Sequence, residues 1–389
     1  MPVVIIIAIL TLVVYLLTGQ EFGVAITTFI TILVVACPCS LGLATPLAII
    51  VAEGLCANKG ILVKKSEILE NAQKVDTIIF DKTGTLTYGK LKISTIKNYS
   101  NLENRELLQI VGSVETKSTH PIAEAFVDYL TENKIEILSI NDFENIAGVG
   151  IKANIENDEI LLGNEKILLK YQIKNNYKED EEEIASDGNS IVYVVKNKEI
   201  IAIIGINDII REGARDVIST LNKNKIQTIM LTGDNKKTAE KIAKDIGITK
   251  VISNVLPNEK AKIIRELREE GKYVLMCGDG INDSPALAIA DIGVSVNSGA
   301  DIAIDSSDVI LIQNELKSII NLINISKKTI KNVKQNLFWA FFYNLLMIPI
   351  AIGVFKNIGI EINPMIASGA MVFSSITVIC NSLRLRKIK

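Results

Sequence analysis

Asp81-Lys82-Thr83-Gly84-Thr85 follows the apolar run Val75-Asp76-Thr77-Ile78-Ile79-Phe80, and this junction sets the reading of the chain. The run has the pattern of a buried parallel strand. A carboxylate at the carboxyl end of such a strand, opening into a glycine-containing turn, stands where open α/β sheets bind their ligands. There it can act as a nucleophile toward phosphate.

A carboxylate attacking ATP needs a divalent cation, a fixed positive charge on the phosphoryl group and donors for its oxygens. Three downstream stretches offer these at strand ends. Thr232-Gly233-Asp234 follows Thr228-Ile229-Met230-Leu231 and brings a hydroxyl for a phosphoryl oxygen. Leu256-Pro257-Asn258-Glu259-Lys260 brings Lys260 as the fixed cation. Gly278-Asp279-Gly280-Ile281-Asn282-Asp283 follows Tyr273-Val274-Leu275-Met276. In it, Asp279 is placed to bind Mg²⁺ beside Asp81 through hard oxygen ligands.

Singly these pieces are common turns and surface residues. Together, in this order, they resemble the P-type ATPases, whose phosphorylation domain has the haloacid-dehalogenase-like fold. Their D-K-T-G-T-L-T pattern is matched without a gap through Thr87. The resemblance implies that Asp81 becomes a transient aspartyl-phosphate, with Lys82, Thr83, Thr232, Gly233, Asp234, Lys260 and Asp283 as catalytic residues. It places Mg²⁺ at Asp81, Thr83 and Asp279. Thr83 stands where the related phosphatases carry an acid/base Asp, which favours a long-lived phosphoenzyme over a simple phosphatase.

The one histidine, His120, lies in Ser118-Thr119-His120-Pro121. The heavy-metal P-type ATPases carry S-x-H-P after a Glu in their nucleotide-binding domain, and Glu115 fits. Their G-x-G is matched by Gly148-Val149-Gly150 and their G-N by Gly163-Asn164. The resemblance assigns ATP to Glu115, His120, Gly148, Gly150, Gly163 and Asn164. An imidazole can contact adenine, and glycines would let the backbone approach it closely.

Composition frames the rest. Of 389 residues, 48% are hydrophobic, and the mean hydropathy is +0.32, too apolar for an ordinary soluble enzyme. Apolar stretches near 2–18, 26–52, 337–355 and 364–380 are each about long enough to cross ~30 Å of hydrocarbon as a helix. Met1-Pro2 opens straight into the first, which reads as a span and not a signal peptide. The formal net charge of −2 gives no sign of a nucleic-acid partner. Lysines and arginines cluster at Lys59, Lys64 and Lys65, at Lys327 to Lys334 and at Arg384 to Lys389. That places the insert and the C-terminus in the cytoplasm. The expected architecture is α/β plus membrane helices. Residues 1–55 form two spans, 56–90 with 206–330 the phosphorylation domain, 91–205 an inserted α/β nucleotide-binding domain, and 331–389 two more spans and a tail.

Cys37-Pro38-Cys39 sits in the second apolar stretch. A proline there breaks the helix, which a membrane tolerates where the break lines a protein site. Two flanking thiols suit a soft ion such as Cu(I), Zn²⁺ or Cd²⁺. Tyr343-Asn344 in the third stretch and Met371 to Ser375 in the fourth resemble the copper(I) subgroup. That resemblance gives Cys37, Cys39, Tyr343, Asn344, Met371 and Ser375 as copper ligands. The zinc/cadmium subgroup typically carries a Lys and an Asp in these spans. The implied function is ATP-driven Cu(I) export across the cell membrane, with lipid, copper and a copper chaperone as partners. The alternatives are a zinc/cadmium pump fragment or a non-catalytic metal-binding membrane protein. The family's actuator domain and N-terminal metal-binding modules find no match here, so the expectation is the C-terminal part of a pump, unable alone to complete a cycle.

Overall fold

A computed structural model of the chain describes residues 2–37, 40–118, 120–234, 236–279, 283–296, 305–313, 315–356 and 362–387. It contains two compact units, Met1–Lys74 with Ser318–Lys389 and Val75–Lys317. The first begins with helices α1 (Pro2–Leu17), α2 (Phe22–Val35), α3 (Leu41–Ala44) and α4 (Pro46–Asn58). The apolar stretch over 26–52 is thus not one continuous helix but α2 followed by α3 and α4. Helix α2 stops at Val35, and Pro46 begins α4 at its first turn. A proline has no N–H to give a preceding turn, so it is favoured at a helix start and disfavoured inside.

Among its described residues the second unit holds twelve strands. β1 (Thr77–Asp81) is followed by β2 (Thr87–Asn98), β3 (Asn141–Ile146), β4 (Gly150–Ile155), β5 (Asp158–Gly163), β6 (Ser190–Lys196) and β7 (Glu199–Ile210). Then come β8 (Gln227–Leu231), β9 (Lys250–Ile252), β10 (Val274–Gly278), β11 (Ile292–Ser295) and β12 (Val309–Leu311). Six of them lie side by side in the order β12-β11-β10-β1-β8-β9, and their described pairings are all parallel. All five residues of β1 are buried, which is why its sequence is a continuous apolar run and not an alternation. Register aligns Asp81 with Leu231 and Phe80 with Cys277. Asp81, Thr232 and Asp279 thus leave the sheet along one carboxyl edge.

The strands β2 to β7 form an antiparallel sheet in the order β2-β7-β6-β5-β4-β3. Helices α5 (Asn104–Glu115) and α6 (Pro121–Glu132) cover one face, with Leu107, Val111 and Phe126 packed on Val194 and Ala202. On the other face α7 (Lys178–Ser186) lays Ile184 against Tyr193 and Ile203. The charge run Lys178 to Glu183 is the solvated side of that helix. Each fully buried Leu, Ile or Phe contributes about 1.5–3 kcal/mol of transfer free energy.

Between β7 and β11 the parallel sheet is wound by α8 (Ala214–Lys223), α9 (Lys236–Ile246) and α10 (Pro257–Glu269). The chain returns to the first unit through α11 (Lys317–Ile352) and α12 (Pro364–Leu383). The third apolar stretch is thus the distal part of one 36-residue helix. Leu41–Asn58, α11 and Pro364–Lys387 are long and apolar enough to cross a membrane. A buried amide network ties them together. Asn336 Nδ2 donates to the carbonyl of Ala44 at 2.9 Å and to Ser382 Oγ at 2.9 Å, and Asn381 Nδ2 donates to Asn336 Oδ1 at 2.9 Å. In hydrocarbon an unpaired amide is costly, so these bonds fix how α11 and α12 meet the broken helix.

Candidate active site

Asp81 lies at the end of the central strand, 6% exposed. Pro257 opens α10, and Glu259 Oε2 accepts from the Leu256 N–H at 3.0 Å, which fixes the helix start. One turn in, Lys260 Nζ reaches Asp81 Oδ1 at 2.5 Å and Asp283 Oδ1 at 2.7 Å. Carboxylate oxygens of Asp81, Asp279 and Asp283 lie within 4.8 Å of one another. Burial first, and then the charge of Asp283, push Asp81 up to about 7 against the opposing pull of Lys260. Burial and Asp283 likewise raise Asp279 to about 6. Asp81 and Asp283 share the Lys260 ammonium with Asp279 close beside them, and hard oxygen donors of this kind fit Mg²⁺.

The turn after Asp81 is built around Gly84, whose φ is +72°. A Cβ there would fall on the Asp279 carboxylate, so glycine is required for Asp279 to approach. Thr83 is exposed in the same turn. Lys82 pairs with Asp234 Oδ2 at 2.6 Å. Thr232 is buried, its Oγ1 accepts from the Asp234 N–H at 3.1 Å, and Gly233 lies between them. Gly280, Ile281 and Asn282 are outside the described residues.

Two residues escaped the sequence reading. Arg211 Nη2 donates to the Gly84 carbonyl at 2.6 Å and Nε to the Thr87 carbonyl at 3.0 Å. Asp208 Oδ2 lies 2.5 Å from Thr87 Oγ1. Both sit at the end of β7, which returns beside β2 from over a hundred residues away. Only that pairing brings them to the turn. An Asp and an Arg three apart give no local signal.

Glu115, His120, Gly148, Gly150, Gly163 and Asn164 all line one cavity of about 320 Å³. His120 caps α6, its Nδ1 accepting from the Ile122 N–H at 3.2 Å, so a neutral ring carries its proton on Nε2. Asn164 Oδ1 accepts from the Lys166 N–H at 3.0 Å. Burial pushes Glu115 up to about 7, against a hydrogen bond from Ser118. The reason for two glycines is corrected. Gly150 and Gly163 face each other across β4 and β5. A Cβ on Gly150 would strike the Leu162 carbonyl, and one on Gly163 the Val149 carbonyl. Their small size serves strand contact. Gly148, at φ +73°, meets nothing within 4 Å.

In the helical unit Cys37 lies just past the end of α2, while Pro38 and Cys39 fall outside the described residues. Tyr343 and Asn344 lie on α11, and Met371 and Ser375 on α12. Tyr343 Oη is 3.4 Å from Thr377 Oγ1. Ser375 Oγ donates back to the Met371 carbonyl at 3.3 Å. It is Ser374, not singled out in the sequence, whose Oγ meets Ser40 Oγ at 2.9 Å beside the break.

The haloacid dehalogenase-like hydrolase model matches residues 75–291, more than half of the chain. The chain belongs to the haloacid dehalogenase-like hydrolases. Within them it is a homologue of heavy-metal P-type ATPases. It is 39% identical to the copper-exporting P-type ATPase of Staphylococcus haemolyticus (strain JCSC1435) and 41% to that of Bacillus subtilis (strain 168). Each alignment runs over 391 residues and covers 100% of this chain but 48% of the relative. The chain therefore spans about half the length of these relatives. A crystal structure of a zinc-transporting PIB-type ATPase in the E2.Pi state superposes with a TM-score of 0.88. It is 31% identical, over 99% of this chain and 62% of that one. With these relatives and its apolar helices, the hydrolase is an integral membrane protein with cytoplasmic domains.

Proposed function

We propose that this chain is the phosphorylated and metal-conducting part of a P-type ATPase that exports Cu(I) from the cytoplasm. The observation that carries the phosphotransfer is the Lys260 contact with Asp81 and Asp283. Lys260 holds Asp81 Oδ1, leaving Oδ2 to attack the γ-phosphorus of ATP. The new bond joins Asp81 Oδ2 to phosphorus, the bond from phosphorus to the β,γ-bridging oxygen breaks, and ADP leaves with that electron pair. Lys260 and the Thr232 hydroxyl meet the charge on the phosphoryl oxygens. Asp81 and Asp279 would hold Mg²⁺, which neutralises phosphate charge when bound. Arg211 and Asp208 fix the turn so that Asp81 is aimed and not free to swing. The antiparallel sheet presents the adenine site, with Glu115 and His120 among the residues that line it.

The cargo is Cu(I). Supporting it are the Cys37-Pro38-Cys39 sequence, whose Cys37 lies just past α2, Met371 on α12, and copper-exporting relatives at about 40% identity. The zinc-transporting structure makes a divalent cargo the other reading. Against it, neither Leu337–Ile352 nor Pro364–Leu383 contains an Asp or Glu, and a divalent ion commonly takes a carboxylate. Equilibrium binding to the detergent-purified chain decides between them. Cu(I) should bind and be lost in Cys37→Ser/Cys39→Ser, with Zn²⁺ weaker. Unchanged Cu(I) stoichiometry in that variant sinks the assignment.

A further inference from the structure

One face of α11 carries a pattern that neither phosphotransfer nor the metal site uses. Lys327, Lys331 and Lys334 are exposed, and they continue at the same 4-3 spacing into Phe338, Phe341 and Leu345, exposed by 59%, 59% and 72%. Residues at this spacing share one side of a helix. The opposite side is the buried one, with Thr329, Asn332, Asn336 and Ala340. Lys328 is also exposed. Between Glu315 and Glu361 the sequence has no acidic residue at all. The lysine face therefore has no counter-charge along its own helix.

The heights put Lys334 inside a bilayer's headgroup layer, Lys331 at its outer edge and Lys327 beyond it by about the length of a lysine stem. Taking the apolar run to begin at Leu337, the rise per residue puts Lys334 about 5 Å and Lys331 about 9 Å outside the hydrocarbon, with Lys327 at about 15 Å. The headgroup layer on one side is roughly 5–8 Å thick, and a lysine stem can lean several ångströms toward it. Trp339 marks the boundary. It lies between the lysines and the aliphatic part of the span, with ring centroids 5.5 Å from Phe338 and 5.7 Å from Phe342, as interfacial aromatics do. Arg384 adds a cation from α12. Its Nη1 donates to Asn381 Oδ1 at 3.0 Å, and Asn381 Nδ2 donates in turn to Gln335 Oε1 at 3.4 Å.

We propose that the Lys327, Lys331 and Lys334 face of α11 is a binding surface for anionic phospholipid headgroups of the cytoplasmic leaflet. An acidic protein would be served by the lysines alone. Only a lipid uses the whole stripe, phosphate against the lysines and acyl chains against Phe338, Phe341 and Leu345. This is more than orientation by basic loops, because it calls for selective occupancy next to one helix face.

The only tryptophan of the chain, Trp339, flanks that face one residue on from Phe338, is 37% exposed and reports on lipid beside it. The whole chain is reconstituted in phosphatidylcholine vesicles containing equal mole fractions of either brominated phosphatidylglycerol or brominated phosphatidylcholine, and Trp339 quenching is measured. The brominated anionic lipid should quench more strongly, with about a tenfold preference at low salt that shrinks in high salt. The preference should fall to near unity in Lys327→Gln/Lys331→Gln/Lys334→Gln. Glutamine keeps the helix propensity of lysine, and circular dichroism verifies that the variant is folded. A second variant, Lys59→Gln/Lys64→Gln, removes basic residues that are not on α11 and should retain the preference. Equal quenching by the two lipids, or a preference that survives the triple change, overturns the proposal.

Discussion

Lys260 Nζ lies between the carboxylates of Asp81 and Asp283, and all three side chains are nearly sealed from water. Removing one member of such a buried set leaves uncompensated charge and typically costs about 3–5 kcal/mol. Lys260→Met should therefore lower the melting temperature. Because Mg²⁺ would then be the remaining countercharge for Asp81, Asp279 and Asp283, millimolar Mg²⁺ should raise the melting temperature of this variant more than that of the unchanged chain. Equal shifts would contradict the shared-carboxylate account. Glu115 makes a second case. Burial holds it near 7 in the folded chain against an ordinary value of 4.5. The folded state thus binds more protons than the unfolded one between these values, and this group's contribution to stability falls as pH rises through that window, by roughly 3 kcal/mol in all. Glu115→Gln should flatten the dependence, with thermal melts at pH 8 gaining more than melts at pH 5. At this scale Asp81, Lys260 and Asp279 were legible because each stands in its own motif at a strand end. Arg211 and Asp208 were not, because what they do depends on which strand β7 lies beside.

Among elements, the β4–β5 pair gives two glycines a packing reason that the sequence does not display. Gly150 and Gly163 are matched in register, and each occupies the space a Cβ would need. Gly163→Ala should force the strands apart and destabilise the chain by about 1–3 kcal/mol, lowering ATP affinity through the cavity they line. Gly148→Ala meets no neighbour and should cost about 1 kcal/mol from its positive φ alone. Denaturant titration of both variants, with ATP binding beside it, separates the two. The broken helix is a comparable lesson. Hydropathy registers the apolar content of 26–52 but not its continuity, since a break at Val35 and a restart at Pro46 leave the average unchanged. The prolines carried the signal. The reach of α11 back to Lys317 was hidden for the opposite reason. Its first turns are amphipathic, with Leu322 and Ile325 buried and Lys327 and Lys328 exposed, so they resemble a soluble helix.

At the scale of the whole molecule there are two compact units, one carrying Asp81 and the cavity lined by Glu115 and His120, the other carrying Cys37 and the helices long and apolar enough to cross a membrane. The α/β class and the membrane helices were readable from composition and periodicity alone. The order of the parallel strands was not, because strand order is set by crossover helices and not by any single segment. The cleft between the parallel sheet's carboxyl edge and the antiparallel sheet illustrates this. Its walls, including Lys82, Asn164, Asp208 and Asp234, come from stretches far apart in sequence. Transfer of the γ-phosphoryl group of ATP to Asp81 is tested by incubating the purified chain with γ-labelled ATP and Mg²⁺, quenching in acid, reducing with borohydride and locating the modified residue by mass spectrometry. The expected result is acid-stable label, conversion of residue 81 to homoserine, and loss of both in Asp81→Asn. Label on another residue, or label that persists in Asp81→Asn, would contradict it.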